Sequence, residues 1–579
     1  VVKYLESSKR PFIYWSHRHV IRHPVRSLNK SSARQRNLNS KMPDCHAIAQ
    51  IFCRYIEKPL AEHIRPGRGF IDAQAQRDAC SIGNAHAALD VLLFPNQTLH
   101  VGRDRKQNDI IILHPYISRE HFVIYSIEYE DGAQPLVYVR DCNSLSGTYV
   151  ECHSSPRIKL PSSSGYLLDQ DDVIQLTPYW EFHIFFLDVK PIIPSIIGPR
   201  SSETNLFRDR FLITERVLGS GASAGIYLAV NIHTGRQVVC KIHRFDSFQR
   251  SRGSLKVMRR ILDETNILSR LTHPNLLRFE AAFRSSNALY TFTELATGGD
   301  LFSMRLKYPD GLMEMDAKII IRQILEAVSY LHEQNVTHRD LKPENVFFAT
   351  GPTHLTRVIV GDLGFAKVAT LGRMVSIVGT EKYAAPEVYH GGSYSTKVDI
   401  WSIGMISLFL VAFDWDSLDF FEAFDQNAVD KGLTDVFSDL SQRHKALSDD
   451  FEDFIRACLV IAPSKRMTAD DSKSHKWFRS SHDRLKIQIE EFTRGWEQAC
   501  IAHNSTEELS LFEHADTETV LSKAPASKRK VEFDEDVVVD SQNSRYFTNS
   551  DLTRHKRQKA VPPLVITHYN REKNLYMGI

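Results

Sequence analysis

Eight consecutive residues, His338-Arg339-Asp340-Leu341-Lys342-Pro343-Glu344-Asn345, constrain this 579-residue chain more than any other stretch. Asp362-Leu363-Gly364 begins seventeen residues after Asn345, and Ala385-Pro386-Glu387 follows later. All of these fall within 207–478, which opens with strand-like runs and continues with helical patterns such as AKIIIRQILEAVSYLHEQ over 317–334. That order predicts a β-rich lobe followed by a larger helical one, an α+β fold in two parts.

The rest of the chain is a multidomain frame around that region. Hydrophobic residues at 42% and charged residues at 25% exclude collagen-like, coiled-coil and wholly disordered classes. A net charge of +2 excludes a polycation built for direct nucleic-acid binding. Ten Lys/Arg against Glu6 make residues 1–41 locally basic. This segment is expected to be a disordered arm or a non-native extension, with the first domain starting near residue 46. The eight cysteines form no C-x-x-C pair, which argues against a disulfide framework or structural zinc and for a reducing compartment. Ile400–Phe413 is the most apolar run. At 14 residues, with Ser402, Gly404 and Ser407 inside it, it is short of the ~20 needed to span a bilayer. It reads as a core helix, and a soluble intracellular protein with no membrane partner is expected.

Over 46–190, short runs rich in Val, Ile, Tyr and Phe alternate and are split by Asp, Asn, Gly and Pro, among them HFVIYSIEY, PLVYVRD and EFHIFFLDV. They predict an all-β sandwich. Residues 191–206, with Pro191, Pro194 and Pro199, read as a linker. Beyond 478, an amphipathic helix is expected over 480–503, followed by a polar, disordered tail carrying basic clusters.

On HRDLKPEN, DLG and APE, residues 207–478 resemble eukaryotic protein kinases, and the resemblance assigns the roles that follow. Asp340 accepts the substrate hydroxyl's proton and Lys342 reaches the γ-phosphate of ATP. Asn345 and Asp362 are the oxygen ligands for Mg²⁺, a hard cation. The nucleotide is covered by Leu218-Gly219-Ser220-Gly221, with Ala224 where the family has its third glycine, and by Ile226 and Ala229. Lys241 pairs with the α/β-phosphates and with Glu264; Glu294 and Ala296 belong to the hinge, and Asp300 lies at the ribose edge. Asp399, and Arg466 paired with Glu387, are expected to be structural. Lys342 is the serine/threonine form of its loop. Arg339 implies switching by phosphorylation at Ser376 or Thr380, although Thr380 also stands where the family has a threonine contacting Asp340.

Gly102-Arg103, Ser118-Arg119-Glu120-His121 and Asn143-Ser144-Leu145-Ser146-Gly147-Thr148 resemble the loops of a forkhead-associated (FHA) domain. The resemblance implies phosphothreonine binding by Arg103, Arg119 and the Ser118 hydroxyl, since guanidinium forks suit phosphate. Ser146 replaces the usual Asn that holds the peptide, and His121 is expected to brace the loop.

An FHA domain ahead of a serine/threonine kinase resembles the nuclear checkpoint kinases, and the small number of Ser-Gln pairs favours their fungal meiotic branch. A general mitotic DNA-damage effector is the runner-up; a phosphothreonine-dependent adaptor with a weakly active kinase lobe is the alternative from another class. Expected partners are phosphothreonine proteins, Arg-directed protein substrates and a transient second copy for trans-phosphorylation. Lys528-Arg529-Lys530 and Arg554–Lys559 predict nuclear localisation.

Overall fold

The computed structural model describes residues 47–55, 89–129, 134–152, 155–176, 179–187, 199–220, 224–245, 252–363, 367–368, 381–389, 395–412, 425–443, 447–479, 481–501, 569–570 and 575–576. The arm over 1–45 and most of the tail beyond 504 lie outside them, as do Gly221, Ser376 and Thr380.

The first domain contains β1 (Ala49–Tyr55), β2 (Leu89–Leu93), β3 (Thr98–Gly102), β4 (Ile110–Ile111), β5 (Phe122–Ile127), β6 (Leu136–Asp141), β7 (Thr148–Cys152), β8 (Ser155–Lys159), β9 (Tyr166–Leu167), β10 (Val173–Leu176) and β11 (Trp180–Phe186). They form two sheets, β2-β1-β11-β10-β7-β8 and β4-β3-β5-β6-β9. Inward residues such as Ile51, Val101, Phe122, Ile124, Val139, Trp180 and Phe182 fill the space between. This is the expected sandwich. The expected alternation fails most completely in β5, where all six residues are buried. Sheets covered on both faces lose the in–out pattern, and the outer face of β5 is covered by the kinase region.

That region begins with the antiparallel sheet β12 (Phe211–Ser220), β13 (Ala224–Asn231), β14 (Gln237–Arg244), β15 (Phe279–Arg284) and β16 (Ala288–Glu294), in the order β12-β13-β14-β16-β15. Helix α1 (Arg252–Arg270) packs beside it. Phe207, Phe211, Phe283, Tyr290 and Phe292 build the small lobe's core, with Phe211 stacked on Phe292 at 4.1 Å.

The larger lobe is helical: α2 (Glu314–Glu333), α3 (Lys397–Val411), α4 (Gln426–Gln442), α5 (Asp449–Cys458) and α6 (His482–Ile501). The apolar run singled out in the sequence is α3, buried at every residue from Val398 to Val411. Its serines are satisfied within the protein: Ser402 Oγ donates to the Tyr383 carbonyl and Ser407 Oγ to that of Ile403. Among the described residues no helix is long and apolar enough to cross a membrane. Local signals agree with the packing at α5, which starts at Ser448, whose hydroxyl accepts from Phe451 N, and carries Asp449, Asp450 and Glu452 in its first turn.

The stretch read as a linker does not end as a free tether. Glu203, beside the short 3-10 turn Thr204–Leu206, is buried in the small lobe. Its carboxylate accepts from Arg244 at 2.6 Å, Tyr290 Oη at 2.6 Å and Ser285 Oγ at 2.7 Å.

Candidate active site and phosphate-reading loops

The cleft residues come from both lobes. Lys241 lies on β14, central in its sheet, and its Nζ is 3.0 Å from Glu264 Oε1 on α1 and 4.0 Å from Asp362 Oδ1. Burial alone would lower the Lys241 pKa; Glu264 and then Asp362 outweigh it and hold the ammonium above the usual lysine range. Lys241 therefore stays charged, and the three groups make one continuous electrostatic unit across the lobes.

Asp340 is almost fully buried, with Lys342 Nζ 3.1 Å from its Oδ2. Asn345 Nδ2 donates to the Asp340 carbonyl at 2.7 Å and to Oδ2 at 3.1 Å. The Asn345 amide is thereby oriented, its nitrogen on Asp340 and its oxygen left as a hard donor. The Asp362 side chain is 44% exposed and supplies further oxygens. This donor set suits Mg²⁺, which prefers carboxylate and carbonyl oxygens and keeps some of its water.

The loop holding Asp340 is tied to the core by Asp399 at the start of α3. Its carboxylate accepts from His338 N and Arg339 N, both at 2.9 Å, and from His332 Nε2 at 2.8 Å. Arg339 has φ 73°, a left-handed conformation costly for a non-glycine residue, and the Asp399 bond to its N–H holds it there. Arg466 and Glu387 form a two-bond pair at 2.8 and 3.0 Å, with Arg466 buried. Both structural expectations hold.

Leu218 and Gly219 end β12, and Gly219 pairs with Ile226 across a register shift. Ala229 is buried on β13. Ser220 closes β12. The Glu294 carboxylate pairs with Arg357 and accepts from Arg278 N. Asp300 is buried and caps the helix Leu301–Leu306, accepting from Ser303 N and Ser303 Oγ.

In the sandwich, three loops converge. Arg103 N donates to the Ser118 carbonyl at 2.9 Å, and Asp104 N to that of Arg119 at 3.1 Å. Arg103 and Arg119 are exposed, and neither guanidinium has a hydrogen-bond partner among the described residues. Ser118 Oγ accepts from Leu145 N at 3.1 Å, which leaves its proton for an incoming acceptor. Ser146 Oγ donates to the Tyr116 carbonyl at 2.8 Å, so this hydroxyl braces the loop from within. His121 is fully buried; its Nδ1 accepts from Ser118 N at 3.1 Å and its Nε2 lies 3.4 Å from the Gly147 carbonyl. Burial, against that Gly147 bond and Asp141, lowers its pKa, so it braces the loops as a neutral ring. Sequence reasoning gave no role to Asp141, whose carboxylate accepts from Ser144 N, Ser144 Oγ and Thr148 Oγ1 and so shapes the third loop. Its only signal was its place three residues before a Ser-x-x-Gly-Thr turn.

A two-lobed fold with a Lys–Glu pair inside the small lobe and a carboxylate loop of the large lobe facing it defines a protein kinase, here joined to a phosphate-reading sandwich. The family models agree: a protein kinase domain matches residues 212–478 and an FHA domain residues 99–177. The meiosis-specific serine/threonine-protein kinase mek1 of Schizosaccharomyces pombe is 31% identical over 386 residues, covering 64% of this chain and 78% of that protein. The meiosis-specific serine/threonine-protein kinase MEK1 of Saccharomyces cerevisiae is 27% identical over 441 residues, 70% of this chain and 85% of that one. A crystal structure of Rad53 1-466 in complex with AMP-PNP aligns with a TM-score of 0.38 and 24% identity, over 74% of this chain and 99% of that one. The chain belongs to the FHA-containing checkpoint family of serine/threonine protein kinases. It is a serine/threonine protein kinase that binds ATP.

Proposed function

We propose that this protein acts in meiotic recombination checkpoint signalling, recruited by its FHA domain to phosphothreonine proteins and phosphorylating nearby Ser/Thr. The supporting observation for catalysis is the Lys241–Glu264 pair at 3.0 Å, opposite Asp340 in its Lys342/Asn345 setting. Asp340 takes the proton of the attacking hydroxyl. Lys342, beside it, steadies the transferring phosphoryl oxygens, while Lys241 holds the α/β-phosphates. Asn345 Oδ1 and the Asp362 carboxylate would hold Mg²⁺, which shields the charge on the phosphate oxygens. Because the transition state is loose, positioning and charge neutralisation do most of the work.

Leu218, Gly219, Ser220, Gly221, Ile226 and Ala229 enclose the nucleotide, whose adenine meets the hinge backbone at Glu294–Ala296, with Asp300 at the ribose edge. In the sandwich, Arg103, Ser118 and Arg119 take the phosphate and the Ser146 backbone borders the peptide. Substrates carry Arg three residues before the target. By resemblance to basophilic kinases, Asp300 and Glu344 stand where that arginine is received; Glu344 is exposed while Asp300 is buried as a helix cap, so we assign it to Glu344. The two tail clusters direct the protein to the nucleus, and transient self-association serves trans-phosphorylation at Ser376 or Thr380.

The test is phosphotransfer by purified protein. Asp340→Asn is expected to lower kcat by about 10²–10⁴-fold, the usual contribution of general-base catalysis. Lys241→Arg should abolish activity with folding intact. Normal autophosphorylation by either variant would contradict the assignment. A peptide array showing proline-directed selection would remove the Arg preference.

A further inference from the structure

We infer that the FHA domain is a positioning element of the nucleotide cleft, acting through Tyr125 and Ile127 on the outside of the hinge. This rests on the reading of that cleft as the nucleotide site. The outer face of β5, β6 and β9 presents Val123, Tyr125, Ile127, Tyr138 and Leu167, which form one apolar cluster with Leu228 and pack against Leu218 and Leu295. Leu218 starts the glycine-rich loop and Leu295 lies in the hinge. One sandwich face therefore touches both the roof and the back of the same cleft.

The polar contacts concentrate on the hinge exit. Tyr125 is buried; its Oη donates to the Thr297 carbonyl at 3.0 Å and accepts from Gly351 N at 3.3 Å. Gly165 N of the sandwich donates to Thr297 Oγ1 at 3.1 Å, and that oxygen donates onward to the Ala349 carbonyl at 3.1 Å. Two glycines make room: a Cβ on Gly351 would lie 2.5 Å from the Tyr125 ring, and one on Gly165 would lie 2.5 Å from its Oη. Ile127 methyls lie 3.3 and 3.4 Å from where a Cβ would stand on Gly299, whose φ is +83°. The Ser303 hydroxyl lies 3.1 Å from the Tyr129 carbonyl and shares its one proton between that oxygen and Asp300 Oδ2 at 3.0 Å, and Ser303 N is the group that Asp300 caps. At the rim, Gln237 exchanges two hydrogen bonds with the Leu167 backbone, at 2.7 and 2.9 Å, and Arg216 pairs with Asp169 at 2.9 Å.

The segment from Leu295 to Ser303 is thus clamped between the sandwich and Ala349–Gly351. Without the Tyr125 hydroxyl, the Thr297 carbonyl and Gly351 N–H become buried groups lacking this partner, a cost that favours relaxation of the loop. Relaxation away from the nucleotide-ready shape weakens ground-state and transition-state binding of ATP alike. That signature is a raised KM at unchanged kcat.

The experiment uses the full chain. Tyr125→Phe keeps the ring and removes the hydroxyl; Ile127→Ala removes the methyls against Gly299; Arg54→Ala, on the other sheet, is the control. Steady-state kinetics and titration with a fluorescent ATP analogue are read alongside thermal melting. Tyr125→Phe is expected to raise KM for ATP about three- to tenfold, as loss of a buried hydroxyl and its two hydrogen bonds implies, with kcat within about twofold of wild type. Ile127→Ala should act in the same direction, and it decides on the same terms if Tyr125→Phe does not fold. An unchanged KM in the folded variants, or an equal rise in Arg54→Ala, overturns the inference. Failure of the site reading looks different: the wild-type protein would not bind the analogue, or Lys241→Arg would bind and turn over normally.

Discussion

Asp399 and Asp172 are both buried carboxylates, yet their surroundings move them in opposite directions. Burial alone would raise Asp399; the His332 bond, the nearby His332 and His338 rings and the Arg339 N–H outweigh it and hold it below the usual carboxylate range. Its contribution to stability is therefore complete above the unfolded pKa and lost as pH falls through the lower, folded one. Asp399→Asn leaves a single carbonyl oxygen where two oxygens served three donors. We expect at least a tenfold fall in kcat and a loss of about 3 kcal/mol, checked by kinetics and urea unfolding. Asp172 in the sandwich is raised by burial to about 6, against the Asp169 N–H, which donates to it at 2.8 Å, and a hydrogen bond with the Cys152 side chain. Between the ordinary value and about 6, the folded state binds the extra proton, so stability falls as pH rises across that window. Asp172→Asn should remove this slope and stabilise the sandwich at pH 7 by on the order of 3 kcal/mol at most. Urea titrations at both ends of the window check it; an equal effect at both ends contradicts the assignment. Asp399 was legible through DIWSIG, a pattern with a known partner loop. Asp172 was not, because nothing local distinguishes a buried aspartate from a turn aspartate in LLDQDDV.

Element by element, periodicity carried most of the fold. The helix expected over 317–334 is observed at Glu314–Glu333, and the one expected over 480–503 at His482–Ile501. Tertiary partners overrode local pattern at two places. HFVIYSIEY was read as alternating, whereas β5 is buried on both faces because a second domain covers the outer one. The proline-rich stretch over 191–206 reads as a linker, yet Glu203 near its end reaches Arg244, Ser285 and Tyr290, separated from it by 41, 82 and 87 positions. No window of sequence contains such a cluster. Its energetics follow from burial: the Arg244 and Glu203 side chains are only 5% and 7% exposed. Glu203→Ala removes the carboxylate paired with a buried guanidinium, and we expect it to destabilise the small lobe by about 3–5 kcal/mol. Glu181→Ala, which breaks the pair with the 48%-exposed Arg54, should lose much less through that pair, about 1 kcal/mol or below. Comparable losses in denaturant unfolding would mean the Glu203 cluster is not an anchor.

For the whole molecule, the two activities use different faces of one sandwich. The β5-β6-β9 face is covered by the hinge region, while Arg103 and Arg119 on the loops remain exposed. Hinge support and phosphothreonine reading are therefore compatible in a single copy, and a bound partner can gather many copies without undocking the sandwich. Gathering raises effective concentration, to the mM range for short connections of suitable geometry. At such concentrations one copy's Asp340 can work on another's Ser376 or Thr380, and the new phosphate brings about −1.5 to −2 charge for Arg339 to hold. Loop phosphorylation would then depend on Arg103 although that residue lies outside the cleft. The rival model has the FHA domain select substrates while a separate upstream kinase does all the activating. Arg103→Ala carrying an inert dimerising fusion separates the two. Clustering predicts that Arg103→Ala alone lacks loop phosphorylation and that enforced dimerisation restores both phosphorylation and activity, measured by phosphopeptide mass spectrometry and substrate turnover. Loop phosphorylation that stays absent in the forced dimer would assign activation to another enzyme and leave the FHA domain with recruitment alone.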